Sequence, residues 1–193
     1  RQKRIHDRLV TIGGMAKGSG MIHPNMATML GYLTTDAAIT RTALQRALTQ
    51  AVNESFNCIS VDGDTSTNDT VLCLANGMAG NRLIKEGTQA FRQFVQLLTE
   101  ACQPLALAIC RDGEGVTKVV KIDVTGAKHR WEARQVAQTI GTSNLVKTAL
   151  FGEDANRGRV MAAIGRAGVP LNPSKVSVSF GGIPMVRKGV GLG

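Results

Sequence analysis

The sequence predicts an α+β fold, and three observations carry that expectation. Apolar residues recur at helical spacing over 40–52 and again over 88–101. Over 119–125 they alternate with polar residues at strand spacing instead. Helical and extended stretches also intermix without the regular strand–helix alternation of a doubly wound parallel sheet.

Residues 9–35 read as a glycine-rich region of strands and loops. From Thr40 a helix follows, with Leu44, Ala47, Leu48, Ala51 and Val52 on one face. CISV at 58–61 is a short strand candidate before the polar loop DGDTSTNDT at 62–70, and VLCLAN at 71–76 reads as a buried strand closed by a turn at Gly77. Phe91, Phe94, Val95 and Leu98 form the apolar face of a second helix, which Pro104 is expected to end or kink. RDGEG at 111–115 is a turn by composition. In TKVVKIDVTG at 117–126, Val120, Ile122 and Val124 alternate with Lys121, Asp123 and Thr125 as in a half-buried strand. Two or three helices are expected within 131–167, then VSVSF, Gly181–Gly182 and IPMVRK as a two-residue hairpin. The expected division is a first domain over 1–116 and a second α+β lobe over 117–193.

Composition narrows the function classes. The chain has 193 residues, 43% hydrophobic and 19% charged, which suits a folded domain with a real core. Its longest apolar run, PLALAIC at 104–110, is far short of the ~20 residues of a membrane span. It starts on Arg1 and ends on KGVGLG, so it reads as a piece of a longer chain cut at both ends. A cytoplasmic location is expected, with a mitochondrial one left open by that missing start. Cys58, Cys73, Cys102 and Cys110 lack metal-ligand spacing and read as reduced, buried thiols. The net charge of +9 invites nucleic acid, but the basic residues are scattered and aromatics, the stacking platforms for single strands, are only 4%. A basic surface that draws in a small anionic substrate accounts for the charge equally well. No nucleic acid, membrane, metal or cofactor is expected.

Several stretches could carry chemistry. GGMAKGSG at 13–20 fails the phosphate-loop spacing, because Lys17 precedes Gly18 instead of following the last glycine. It is either a flexible turn or a loop whose glycines bring the backbone close to a ligand while Lys17 meets a carboxylate. In DGDTSTND at 62–69, Thr67 and Cys73 occupy the glycine and glutamate positions of a calcium loop. That leaves a hydrogen-bonded polar turn or the wall of an active site. Glu114 sits in a glycine-flanked turn, either solvated or presented to a ligand. His6, His23 and His129 share no metal-ligand spacing, and no G-x-S-x-G elbow supports a serine triad.

Taken in order, KGSGMIHPNMATML, SVDGDTSTNDT, RDGEGVTK and GEDANRGRVMAAIGRAG resemble the glutamate N-acetyltransferase, or ornithine acetyltransferase, family from about Gly13 to Lys188. The resemblance implies layered mixed sheets with flanking helices, similar to the self-processing fold of ornithine acetyltransferases and related aminopeptidases. It implies self-cleavage between Ala27 and Thr28, with residues 1–27 ending the first subunit and Thr28 opening the second as the nucleophile. It further implies acetyl transfer from N2-acetyl-L-ornithine to L-glutamate in arginine biosynthesis, with Lys17, Thr28 and Glu114 binding substrate. Acetyl-coenzyme A is left open as a second donor. The implied assembly is a heteromer of the two cleavage products, in a higher oligomer. It places the oxyanion-hole pair and further substrate-binding side chains outside this sequence. An amidohydrolase or aminopeptidase with the same nucleophile is the nearest alternative, and a basic non-catalytic binding module is a more distant one.

Overall fold

The computed structural model describes residues 1–23 and 29–192, and the chain divides into two compact units, Arg1–Val116 and Thr117–Gly193. Mixed sheets and helices make the fold α+β, as the sequence implied.

The first unit is built on a four-stranded sheet: β1 (Gln2–Ile5), β2 (Arg8–Lys17), β3 (Leu30–Thr35) and β4 (Thr70–Ala75), side by side in that order. The first three are antiparallel neighbours, whereas β3 and β4 run parallel, so the chain between them must cross over. That crossover contains α1 (Arg41–Asn53), whose Thr40 side chain accepts from the Ala43 N–H and caps the helix start. Helix α2 (Gln89–Arg111), capped in the same way by Thr88, is the second cover. Both helices pack on one face of the sheet. Ala43, Ala47 and Ala51 of α1, Phe94, Leu97 and Leu98 of α2, and Ile12 and Leu33 of the strands form the core, all at 1% exposure or less. The opposite face of the sheet presents Met15, Tyr32, Leu72 and Leu74, which stay substantially exposed.

The second unit is three helices and a small sheet. Its helices are α3 (Arg130–Gly141), α4 (Asn144–Phe151) and α5 (Arg157–Gly165). Strands β5 (Val178–Phe180), β6 (Ile183–Arg187) and β7 (Val190–Gly191) form an antiparallel meander. Gly181 and Gly182 both have positive φ, 55° and 85°, as the expected two-residue hairpin requires. Val136, Ile140, Val146, Val160, Ala163 and Ile164 make its core, with Val178 and Phe180 packed against them.

Four local expectations are corrected. CISV is not a strand: residues Phe56–Cys58 form a 3₁₀ turn, drawn on from α1 by the Ser55 hydroxyl donating to the Ala51 carbonyl and by Cys58 N–H donating to Ser55 O at 2.9 Å. VLCLAN is not buried on both sides, because β4 ends the sheet order and only one of its faces has helices over it. Residues 117–126 are in no strand among the described residues; Ile122 and Val124 are half-buried against the core, but Val120 is exposed. Alternation alone, without a neighbour to share a ladder, does not make a strand. Finally, Pro104 does not end α2, which runs on to Arg111. Pro104 is exposed, so its ring meets solvent, and the Glu100 carbonyl that loses its helical donor there accepts instead from the Arg1 side chain at 3.3 Å.

Candidate active site

The β2–β3 ladder stops at Lys17 and Leu30, which are register partners. Beyond the ladder, the described residues 18–23 and 29 are held by other means, and the sequence motifs supply those means. Lys17 is exposed at the wall of a cleft of about 650 Å³, lined also by Gly18, Ser19, Gly20, Ile109 and Asp112. Thr28 lies two residues before Leu30 in the chain. Ala27 and Thr28, the expected cleavage and nucleophile positions, lie outside the described residues.

Glu114 joins the same loop. Its N–H donates to the Ser19 carbonyl at 2.8 Å, and the Ser19 hydroxyl donates to the Asp112 carbonyl at 3.3 Å. The Glu114 carboxylate lies over Gly20 so closely that a Cβ there would stand 2.9 Å from Oε2. A side chain at position 20 would thus push the carboxylate away. Lys17 and Glu114, 97 residues apart in sequence, are brought to one four-residue stretch.

The polar loop at 62–69 grips the backbone beyond it. Asp62 accepts from the Met21 N–H at 2.6 Å, from Ile22 at 3.1 Å and from its own loop's Asp64 at 3.0 Å. Val61 N–H donates to the Ile22 carbonyl at 2.8 Å, and His23 Nδ1 sits 3.1 Å from the Ser60 hydroxyl. Asp69 accepts from the Met29 N–H at 2.6 Å, and Thr70 N–H donates back to the Met29 carbonyl at 3.0 Å. Burial pushes the Asp69 carboxyl above its usual range, and the Met29 hydrogen bond partly opposes it.

The loop is a polar turn by its own hydrogen bonds, as one of its two readings has it, and it also binds the backbone of Met21, Ile22 and Met29. Sequence reasoning did not single out Asp62 or Asp69. The only available signal was an aspartate at each end of a loop whose interior is Gly, Ser, Thr, Asn and one further aspartate, Asp64.

Other nucleophiles and ligands are poorly placed. Burial raises the thiols of Cys73 to about 11 and Cys102 to about 12, far from a reactive thiolate. Cys102 is buried and Cys73 and Cys110 half-buried as free thiols, but Cys58 is exposed, which corrects the expectation for that residue: it is the last residue of the 3₁₀ turn, at the surface, and donates to the Asn53 carbonyl. Among the described residues, no group of three or more His, Cys, Asp or Glu is arranged to share a metal ion.

Comparison with known proteins gives this geometry its context. The sequence model of the ArgJ family matches residues 1–192. The "Arginine biosynthesis bifunctional protein ArgJ" of Desulfotalea psychrophila is 57% identical over 180 residues, covering 93% of this chain and 46% of that protein. The protein of that name from Oceanobacillus iheyensis is 50% identical over 188 residues, covering 97% and 46%. The Yarrowia lipolytica relative, whose name adds "mitochondrial", is 52% identical over 179 residues, covering 93% and 42%. A crystal structure of arginine biosynthesis bifunctional protein argJ from Bacillus halodurans superposes with a TM-score of 0.82 at 44% identity, covering 86% of this chain and 78% of that one. The chain spans about half the length of the curated relatives it matches. With the family matched along almost its whole length, this chain belongs to the ArgJ family.

Proposed function

We propose that this protein, together with the further length that its relatives possess, is an acetyltransferase of arginine biosynthesis. It moves the acetyl group of N2-acetyl-L-ornithine to L-glutamate through an ester on Thr28, after cutting itself between Ala27 and Thr28. The observation that carries this reading is the convergence of Lys17 and Glu114 on the loop that leads to Thr28. The printed names of the relatives, arginine biosynthesis bifunctional proteins, support it.

The chemistry needs no separate histidine. In the precursor, Thr28 Oγ adds to the Ala27 carbonyl carbon, the peptide C–N bond breaks, and the hydroxyl proton ends on the nitrogen. Water then opens the ester, leaving an Ala27 carboxylate and restoring the Thr28 hydroxyl. The freed α-amine, with an ordinary pKa near ~8, can take the hydroxyl proton, which the amide it replaces could not. In transfer, Thr28 Oγ attacks the acetyl carbonyl and ornithine leaves with a proton on its nitrogen. The glutamate amine then attacks the ester and the hydroxyl is restored. The cycle as written consumes no cofactor. Both substrates carry a carboxylate and an ammonium or amine, so Lys17 and Glu114 offer one contact of each sign and orient the molecule.

The first unit carries this chemistry in our reading, and the second is an accessory α+β lobe. Acetyl-coenzyme A is a second acetyl donor, which the word "bifunctional" in the relatives' names favours. The two cleavage products remain a heteromer and assemble further. Among the described residues no helix is long and apolar enough to cross a membrane. We place the protein in the cytoplasm, or in the mitochondrial matrix of a eukaryotic source, as the Yarrowia lipolytica name suggests for that relative.

The test is the glutamate dependence of ornithine release by purified full-length protein. Release in step with N-acetylglutamate, and only when glutamate is present, is expected. Equal release in its absence would mean that water is the acceptor and that the protein is a hydrolase.

A further inference from the structure

We infer that Asp62 and Asp69 are positioning residues of the self-cleavage site, holding the backbone on the two sides of the stretch that contains the Ala27–Thr28 bond. The inference rests on the reading of Thr28 as the nucleophile given above.

The arrangement is the same on both sides. Ile22 gives its N–H to the Asp62 carboxylate at 3.1 Å and receives the neighbouring Val61 N–H on its carbonyl at 2.8 Å. Met29 gives its N–H to the Asp69 carboxylate at 2.6 Å and receives the neighbouring Thr70 N–H on its carbonyl at 3.0 Å. Each residue therefore has both backbone groups satisfied by two consecutive residues of one loop, and each has its side chain buried, at 2% and 6% exposure. Asp62 adds a second, shorter bond from Met21 at 2.6 Å. Ile22 and Met29 are thus fixed posts in a region where the β2–β3 ladder has already ended at Lys17 and Leu30.

An acyl shift from nitrogen to oxygen demands such posts. The Thr28 hydroxyl has to meet the Ala27 carbonyl along a narrow approach, and displacement of about 1 Å is enough to cost roughly 100-fold in rate. Carboxylates suit the task because a charge-assisted bond to a backbone N–H is shorter and stronger than a neutral one. After cleavage the same bonds have a second use. Asp69 holds the residue next to the new N-terminus, and Asp62 holds Met21 and Ile22 of the other product against the same loop. One loop, remote in sequence, then ties the two products together.

The test uses full-length protein carrying Ala, Asn or Glu at position 69, and the same set at position 62. Cleavage is followed by intact mass against time on protein shown to be folded by circular dichroism. Kinetics of transfer are then measured on the cleaved material. Wild-type protein cleaving at Ala27–Thr28 while Thr28→Ala stays whole secures the underlying reading; failure of either overturns that reading and this inference with it. Given both, Asp69→Ala, which removes the acceptor, and Asp69→Glu, which keeps the charge but moves it by a methylene, are expected to slow cleavage about 10- to 100-fold. Asp69→Asn keeps an acceptor oxygen in place and is expected to stay within about threefold of wild type, with kcat rather than KM carrying any loss. At position 62 Ala and Glu are expected to slow cleavage likewise, whereas Asp62→Asn, with one acceptor oxygen where Asp62 uses both, loses the Met21 or the Ile22 bond and is expected to fall between Asp62→Glu and wild type. If an alanine variant does not fold, the contrast between Asn and Glu decides. Ala or Glu variants that cleave at the wild-type rate, or an Asp69→Asn variant as slow as Asp69→Glu, would overturn the positioning role while leaving the nucleophile in place.

Discussion

Lys17 and Glu114 meet through the backbone of residues 17–20 and not through each other. The Glu114 N–H is bound to Ser19, and its carboxylate lies where any Cβ on Gly20 would have to go. Neither side chain is part of the core, so substitution should act on substrate and spare the fold. Lys17→Met and Glu114→Gln are each expected to lower kcat/KM for N-acetylornithine by about 10- to 100-fold, the range of one charged hydrogen bond. Melting temperatures should stay at the wild-type value; a shared loss of both would make the pair structural. Asp69 behaves differently, because burial raises its pKa. Above that raised value the folded protein holds a partly desolvated charge that the unfolded chain holds in water. The cost is present at neutral pH and disappears as pH falls through the raised value toward the ordinary 3.8. Asp69→Asn is therefore expected to melt no lower than wild type at pH 7, with any gain shrinking on acidification. Calorimetry across that pH range would show it, and a gain that grows with acid would contradict the assigned cause.

At the scale of elements, β2 precedes Thr28 and β3 follows it, yet the two are paired along six register positions. Cleavage at Ala27–Thr28 would leave one product holding β1 and β2, with Ile5, Val10, Ile12 and Ile22 all at 2% exposure or less in the common core. The products are expected to co-elute on native size exclusion and to part only in denaturant. Separation under native conditions would contradict the sheet as described. The elements that were legible in the sequence are those whose signal is local. The periodicity of Leu44, Ala47, Leu48 and Ala51 from Thr40 onward gave α1 directly, as did Gly181–Gly182 the hairpin. What was not legible depended on partners far away. Val120–Val124 alternate like a strand but have none to pair with among the described residues, and Pro104 is tolerated because Arg1 reaches the Glu100 carbonyl. The site divides in the same way. Lys17 and Glu114 stood out in glycine-framed motifs, whereas Asp62 and Asp69 act on backbone N–H groups, which any residue supplies and no motif records.

On the scale of the whole molecule, one face of the first unit's sheet is covered by helices and the other is not. Met15, Tyr32 and Leu72 form a cross-strand row there, with Leu74 beside it at 68% exposure. A contiguous apolar face of this kind invites association and dye binding. Tyr32→Lys with Leu74→Lys, made in the 193-residue chain, is expected to reduce binding of an apolar fluorescent dye without lowering the melting temperature, because both side chains point away from the core. Unchanged dye binding would mean that the face is covered in solution. The arrangement of Lys17, Glu114, Asp62 and Asp69 around the two sides of residues 24–28 has its strongest meaning if the chain is cut within that stretch. The most direct measurement is therefore the intact mass of full-length protein after purification, beside its Thr28→Ala variant. Two masses are expected for wild type, together equal to the precursor plus one water and dividing it between Ala27 and Thr28, with a single uncut mass for the variant. A wild-type protein that remains one chain, or a Thr28→Ala variant cut at the same bond, would contradict Thr28 as the nucleophile.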